Sequence, residues 1–401
     1  MNEPWKEWIP GVLCKKQVQE LCPQGYIEDV ADWDSDDLYK NPIDYSAVDL
    51  SLTGEAYQMT RGSVKPFGNR YMHFSTTLGL VKRLPEAEIY ELKRANTYLF
   101  KLREKLNLPK EARIYGRATA KSTFGRMDVL ARLIVDGMDE YEGFDPEGAA
   151  RGNGDMYLEI TPMTFDVRVK SGISLSQLRL FRGRPEDSEI RGQEVYEPLL
   201  HVDNGCEMDG SLSVNLKPTP ISGHEACAFR ANPMKEDDEP IDLWKREEVI
   251  PCKYWKLLKS DEQDRLKIHK THFYLLRSKE MISLTEGVAV YCRATDEAIG
   301  EMRIHYAGFV HPFFGKERGD GLEGTPLMFE VRGHDVDVSL KDGEKMARLI
   351  FYRMSRPCVK EEKVVSYNKQ TLKLSKIFAD WPDEIEVGED GTVKKAETAK
   401  K

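Results

Sequence analysis

Two stretches of this 401-residue chain match each other without a gap. Residues 155–182, DMYLEITPMTFDVRVKSGISLSQLRLFR, align with 326–353, PLMFEVRGHDVDVSLKDGEKMARLIFYR, at a constant offset of 171 residues. Glu159 meets Glu330, Asp166 meets Asp337, Lys170 meets Lys341, Gly172 meets Gly343 and Leu178 meets Leu349. A charged residue inside an apolar strand, then a Lys-x-Gly turn, then a second apolar strand, is not a pattern expected twice by chance. Upstream, YGRAT (115–119) answers YCRAT (291–295) at an offset of 176. SAVDLSL (46–52) answers GSLSVNL (210–216) more weakly, at 164. The changing offset implies small insertions between two copies of one unit.

Length agrees, because a chain of this size normally divides between two cores. The repeat places one domain at 1–195 and a second at 196–386, with NPMKEDDEP (232–240) as a loop inside the second. From 387 onward, VGEDGTVKKAETAKK has almost no apolar residues and is expected to be a flexible tail, 387–401. Within the first copy, Val48, Leu50 and Leu52 alternate with Asp49 and Ser51, the period of a half-buried strand over 46–59. Residues 11–22 predict a short helix with Cys14, Val18 and Leu21 on one side. Residues 86–108 are the best helix candidate, closed by Pro109. The remainder is short alternating runs broken by turns, including a Gly- and Asp-rich loop at 136–154. The fold class is mainly β, two tandem sandwich- or barrel-like domains with a few short helices.

Composition narrows the function. A net charge of −9 argues against nucleic acid as the main partner, while a local Lys/Arg cluster still suffices for a small phosphorylated ligand. No run approaches the roughly 20 apolar residues of a membrane span, and MNEPWKEWIP lacks the regions of a signal peptide. Seven cysteines without paired spacing suit a reducing compartment, so a cytoplasmic location is expected.

Four runs carry a resemblance. SAVDLSL resembles the opening strand of the dUTPase and dCTP deaminase superfamily. KSTFGR (121–126) resembles its Ser-Ser-x-x-Arg segment, with Thr123 in place of the second Ser. The Glu-bearing strand with its Lys-x-Gly turn is present twice, and HYAGFVHPFFG (305–315) is similar to the Ala-Gly-(Phe/Trp)-(Val/Ile)-Asp-Pro turn. Length and tandem layout look most like the two-domain bacterial dCTP deaminases. The resemblance implies dUTPase-like domains, sites formed between neighbouring domains, and a homo-oligomer built on threefold or pseudo-threefold domain clusters.

It also implies roles. Deamination of cytosine adds water at C4 and expels ammonia, so one group must take and return protons, and a desolvated carboxylate suits that task. The family's catalytic Glu maps onto Glu330 or Glu159; the alternative for each is a Glu on the exposed face of an edge strand. Lys121, Ser122 and Arg126 supply hydroxyl and cations for the site and its phosphates, or else form an ordinary basic loop. Ala307, Gly308 and Phe309 would line base and sugar. His311 replaces the usual Asp, as a ligand contact or simply a turn residue. SYNKQTLKLSK (366–376) is similar to the family's closing arm, giving Tyr367 and Lys373. Gln177 reads as a structural hydrogen-bonder. The second copy has RATDEAIGE (293–301) where the first has its Ser/Arg run, and the first has an acidic insertion where the second has its turn. These complementary losses predict that Ser122 and Arg126 face Glu330 across a domain interface, leaving Glu159 in a second or vestigial site.

Zinc deaminases use an H-x-E…P-C-x-x-C pattern, which is missing here. No zinc is therefore expected, and Mg²⁺ enters bound through the substrate triphosphate. The reading is hydrolysis of dCTP to dUTP and ammonia, an enzyme of pyrimidine deoxynucleotide metabolism supplying dTTP synthesis. The alternatives are a dUTP diphosphatase, a bifunctional enzyme, or a non-catalytic nucleotide-binding β protein.

Overall fold

The computed structural model describes residues 3–35, 37, 40–201, 208–294, 302–304, 308–316, 323–361 and 367–396. Two large antiparallel sheets carry the repeat. In the first half the strands run in the order Val129–Val135, Met156–Pro162, Tyr98–Leu102, Ala47–Met59, Ser174–Arg182, Ile114–Ala120, Gly143–Phe144. In the second half Met302–Ile304, Thr325–Gly333, Phe273–Ile282, Ser211–Asn215, Lys345–Arg353, Val288–Ala294 and Gly308–Val310 follow one another in the corresponding order. One topology used twice is the duplication seen in the sequence.

Both copies turn at the Lys-x-Gly step. Gly172 and Gly343 have φ of 84° and 85°, a left-handed conformation that an L side chain resists. Their amides donate to Leu52 and Val214 carbonyls at 2.8 and 2.9 Å. These bonds make Leu52 equivalent to Val214, an offset of 162 rather than the 164 suggested by the letters. A slip of two preserves the alternation of faces, so hydrophobic pattern alone cannot detect it. The strand after each turn carries one extra residue opposite this step, Leu175 or Met346, and a buried Glu accepts from the facing amide of the opening strand. Glu104 accepts from the Ser51 amide at 2.9 Å, and Glu280 from the Ser213 amide at 2.7 Å.

Three expectations are corrected. Residues 86–108 are not a helix but strands Ile89–Leu92, Tyr98–Leu102 and Lys105–Leu106. Tyr98, Leu99, Phe100 and Leu102 are all buried, which sheet pairing on two sides allows and one helical stripe does not. Residues 11–22 contain a strand, Gly11–Val12, before a helix of only five residues, Lys15–Gln19, although Cys14, Val18 and Leu21 are buried as expected. The supposed tail begins inside a hairpin, Ile385–Val387 with Val393–Lys395, whose Gly391 carbonyl accepts from the Leu257 amide at 2.9 Å.

The halves do not keep separate cores. Strand Ile241–Asp242 adds in parallel to Val167–Lys170, and Trp255, fully buried, packs its ring 5.9 Å from Phe165. Leu372, Leu374, Ile377 and Phe378 join the first half's apolar cluster. Burial of large side chains at about 25 cal/mol per Å² makes this shared core the main adhesive between halves. It sets the relation of the two sheet edges that enclose the cleft described next.

Candidate active site

KSTFGR forms a single helical turn, Ser122–Gly125, entered from an extended Lys121. Arg126 donates its amide to the Ser122 carbonyl at 3.1 Å, so the two side chains stand one turn apart on one face. Both line a cleft of about 350 Å³, which is within the range of small-molecule sites. The opposite wall comes from the second half: Gly308, Phe309, Val310, His311, Cys292, Met328 and Glu330. The predicted meeting of the Ser/Arg turn with Glu330 is what the chain builds.

Glu330 lies on Thr325–Gly333 between buried Phe329 and Val331 and is itself buried. Among the described residues no side chain donates a hydrogen bond to its carboxylate. Burial pushes its carboxyl up to about 8, and the nearby Arg126 guanidinium opposes that rise. Arg126 is also buried, so its charge is not displayed at a surface. It donates to Gln370 Oε1 at 2.6 Å and to the Lys373 carbonyl at 3.1 Å, and its guanidinium lies 3.9 Å from the Tyr367 ring centroid. Arg126 thus lines the cleft while held by the arm, and its charge is near enough to Glu330 to oppose the rise of that carboxyl.

Two residues on, the signs reverse. Asp128, fully buried with φ of 56°, accepts from Thr164 Oγ1 at 2.5 Å and pairs with Arg332, two positions after Glu330. Asp tolerates that left-handed backbone better than most residues. Asp128 and Arg332 thus pair across the interface, two positions from Arg126 and Glu330, whose charges influence each other across the same interface.

The arm after residue 366 closes the cleft. Gln370 Nε2 donates to the Pro326 carbonyl at 2.8 Å, Ser375 Oγ to the Thr123 carbonyl at 2.7 Å, and the Lys376 amide to the Tyr367 hydroxyl at 2.9 Å. One segment is thereby tied both to the Ser/Arg turn and to the Glu330 strand. Tyr367 lines the cleft as expected; Lys373 does not, because its ammonium pairs with Asp380 at 2.6 Å in solvent. Lys376 takes the lining position instead. Lys121 lines the cleft and pairs with Asp49, and Gln177 lines it too. His311 stacks on Tyr45 with centroids 5.5 Å apart. Ala307 and the 295–301 run lie outside the described residues.

The corresponding parts of the first half are closed. Glu159 accepts from Ser63 Oγ at 2.8 and 2.9 Å and from the Tyr141 hydroxyl at 3.0 Å. Burial pushes its pKa up, while these hydroxyls and Arg132 draw it back. The Phe144 ring lies against Gly116, where a Cβ would come within 2.2 Å of it. Gly116 pairs with Leu180 as Val290 pairs with Phe351, so Gly116 answers Val290 and Phe144 stands where the second half has Val310.

Asp49, Cys292, Gln370 and Lys376 complete the cleft and were not singled out from sequence as site residues. Asp49 sat inside a quoted strand motif, and Gln370 and Lys376 inside the quoted arm. Only side-chain direction distinguishes them from their neighbours.

The family models agree with this architecture. One described as the 2'-deoxycytidine 5'-triphosphate deaminase N-terminal domain matches residues 9–184, and one described as the C-terminal domain matches 186–378. The crystal structure of 2'-deoxycytidine 5'-triphosphate deaminase from Agrobacterium tumefaciens superposes with a TM-score of 0.76 at 27% identity, covering 87% of this chain and 97% of that one. Comparison with curated protein sequences returns no match. With both domain models matched in order along its length, the chain belongs to the 2'-deoxycytidine 5'-triphosphate deaminase family.

Proposed function

We propose that the chain hydrolyses dCTP to dUTP and ammonia at one cleft, with Glu330 as the proton-transfer group. The observation that carries this reading is the contrast in carboxylate environment: Glu330 opens on the cleft beside Arg126, whereas Glu159 is capped by hydroxyls. Glu330 takes a proton from water as the water oxygen bonds to C4 and passes it to N3; it then takes the second proton from the C4 hydroxyl and gives it to the exocyclic amine, so that C4=O forms as the C4–N bond breaks and ammonia leaves. A carboxyl raised by burial holds and releases a proton near neutrality, which an ordinary carboxylate does poorly. Arg126 stabilises the anionic form, and the Ser122 hydroxyl, on the same face, orients the reacting groups.

Lys121 and Lys376 are the cleft cations placed to meet the triphosphate, with Mg²⁺ arriving on the substrate. Among the described residues no three His, Cys, Asp or Glu side chains gather as a metal-ligand set. The described cleft walls come from the two halves of a single chain, so the proposed catalytic unit is one chain, and a homo-oligomer would be assembled from such units. No described helix is long and apolar enough to cross a membrane, and the proposed setting is the cytoplasm.

The test follows ammonia and pyrophosphate separately after mixing the protein with dCTP or dUTP and Mg²⁺. Ammonia from dCTP without pyrophosphate is expected. Pyrophosphate from dUTP would make the enzyme bifunctional or a diphosphatase, and neither product would leave a binding protein.

A further inference from the structure

Arg179 lies on Ser174–Arg182 with no exposed surface. Its Nη1 donates to the Val290 carbonyl at 2.8 Å, and its Nη2 to the Val310 carbonyl and to Ser46 Oγ, both at 3.2 Å. Its guanidinium carbon sits 4.0 Å from the Phe309 ring centroid. None of these partners is a carboxylate. A buried cation satisfied only by neutral groups is expensive to keep, and an apolar residue of similar size is usually the more stable choice.

The duplication supplies an internal control. At the same offset of 171 the second half carries Ile350, half-buried against an apolar cluster that includes Phe181 and Tyr352. The scaffold therefore does not require an arginine at this position. What differs is what lies across the junction. Arg179 reaches from the first half onto Gly308–Val310, a strand at the end of its sheet that among the described residues pairs along Val290–Cys292. Arg179 binds a carbonyl on each side of that ladder and covers the Phe309 ring, while Phe309 itself lines the cleft.

We propose that Arg179 is a positioning residue for substrate: it clamps the 308–311 turn of the second half so that Phe309 and the adjoining backbone are preset for the nucleoside. The role rests on the reading of the cleft as the dCTP site. The fixed Val310 carbonyl also fixes the following peptide, because a trans peptide directs its N–H opposite to its C=O. The His311 amide is consequently directed away from Arg179. Loss of the clamp leaves the turn to be ordered by the ligand, and binding then carries that ordering cost.

The test uses the full chain with Arg179→Ile, the residue of its own duplicate, and Arg179→Lys, which keeps charge without the planar fork. Amide exchange at 308–311, measured without nucleotide, reads the clamp independently of activity. The expected result is faster exchange confined to that turn in both variants. KM for dCTP should rise at least tenfold in Arg179→Ile and at least threefold in Arg179→Lys, with kcat within threefold of wild type. dCTP binding to Glu330→Gln, by calorimetry, should weaken by the same factors when either change is added. Should Arg179→Ile fail to fold, Arg179→Lys at a native melting temperature decides. Unchanged exchange at 308–311, or unchanged KM and affinity in a folded variant, overturns the proposal. A wild type that binds dCTP without releasing ammonia would instead defeat the deaminase reading, leaving exchange and affinity to judge Arg179.

Discussion

Glu159 and Glu330 occupy one position in a duplicated strand, yet the chain treats them oppositely. Glu159 is held by Ser63 and Tyr141, residues supplied by a long excursion after Met59 and by the acidic insertion of the first half. Glu330 meets no such donors among the described residues and faces a cleft whose other wall is the first half's own Ser/Arg turn. The difference teaches that duplication did not yield two equal sites. Among the described residues, the first half's Ser/Arg turn and the second half's Glu330 strand meet in one cleft, while Glu159 is closed off by hydroxyls.

The strongest way to break this contrast is to remove each carboxylate. Glu330→Gln should lower kcat by about 10²–10⁴-fold, the usual contribution of a general acid–base group, while Glu159→Gln stays within a fewfold of wild type. Equal losses in an ammonia-release assay would show that the halves share the chemistry.

Next in size is the pH response. With Glu330 at about 8 in the free enzyme, kcat/KM should climb roughly tenfold per pH unit up to that value and then level, since the ionised form starts proton transfer. A profile flat from pH 6 to 9 would contradict the assignment. Stability should move the other way. A carboxyl raised above its ordinary 4.5 contributes most below that value and loses its contribution as pH rises through about 8. Glu330→Gln cannot ionise, so its melting temperature should gain on wild type between pH 5 and pH 9.

A third test asks whether the closed copy can be reopened. Ser63→Ala with Tyr141→Phe strips the donors from Glu159 and should cost about 1–3 kcal/mol in urea unfolding, the penalty for a buried acceptor left without partners. Binding stoichiometry by calorimetry should remain one nucleotide per chain; a value of two would mean that only these hydroxyls had silenced the first copy. The smallest effect is expected at the arm. Gln370→Ala frees Arg126 and Pro326 together and should raise KM about threefold to tenfold, the scale of a lost hydrogen bond to a charged group. An unchanged KM would detach the arm from substrate binding.

Much of this was written in the letters, for a physical reason. The Lys-x-Gly turn needs glycine at positive φ, and the Glu sits in an apolar run, so both left marks that alignment within one chain could find. Ser122 and Arg126 were legible because a helical turn brings residues four apart onto one face. Other features had no local signature. The run 86–108 is rich in helix formers, and only pairing with strands far away in sequence makes it β. The two-residue slip at Ser51 and Ser213 leaves the alternation intact. Lys373 and Lys376 differ only in which way an irregular segment points them. The burial of Arg126 was not legible, because it comes from Gln370 and Tyr367, more than 240 positions away.

The arm that crosses back onto the first half also has a consequence for biosynthesis. Leu372, Leu374, Ile377 and Phe378 complete an apolar cluster whose earliest members are Trp5 and Trp8. Apolar residues of this cluster made early therefore stay partly uncovered until segments made far later arrive. A chain stopped short of residue 370 would leave apolar surface of the first half unfilled and lack the groups that hold Arg126. One such break would register in folding and at the cleft together.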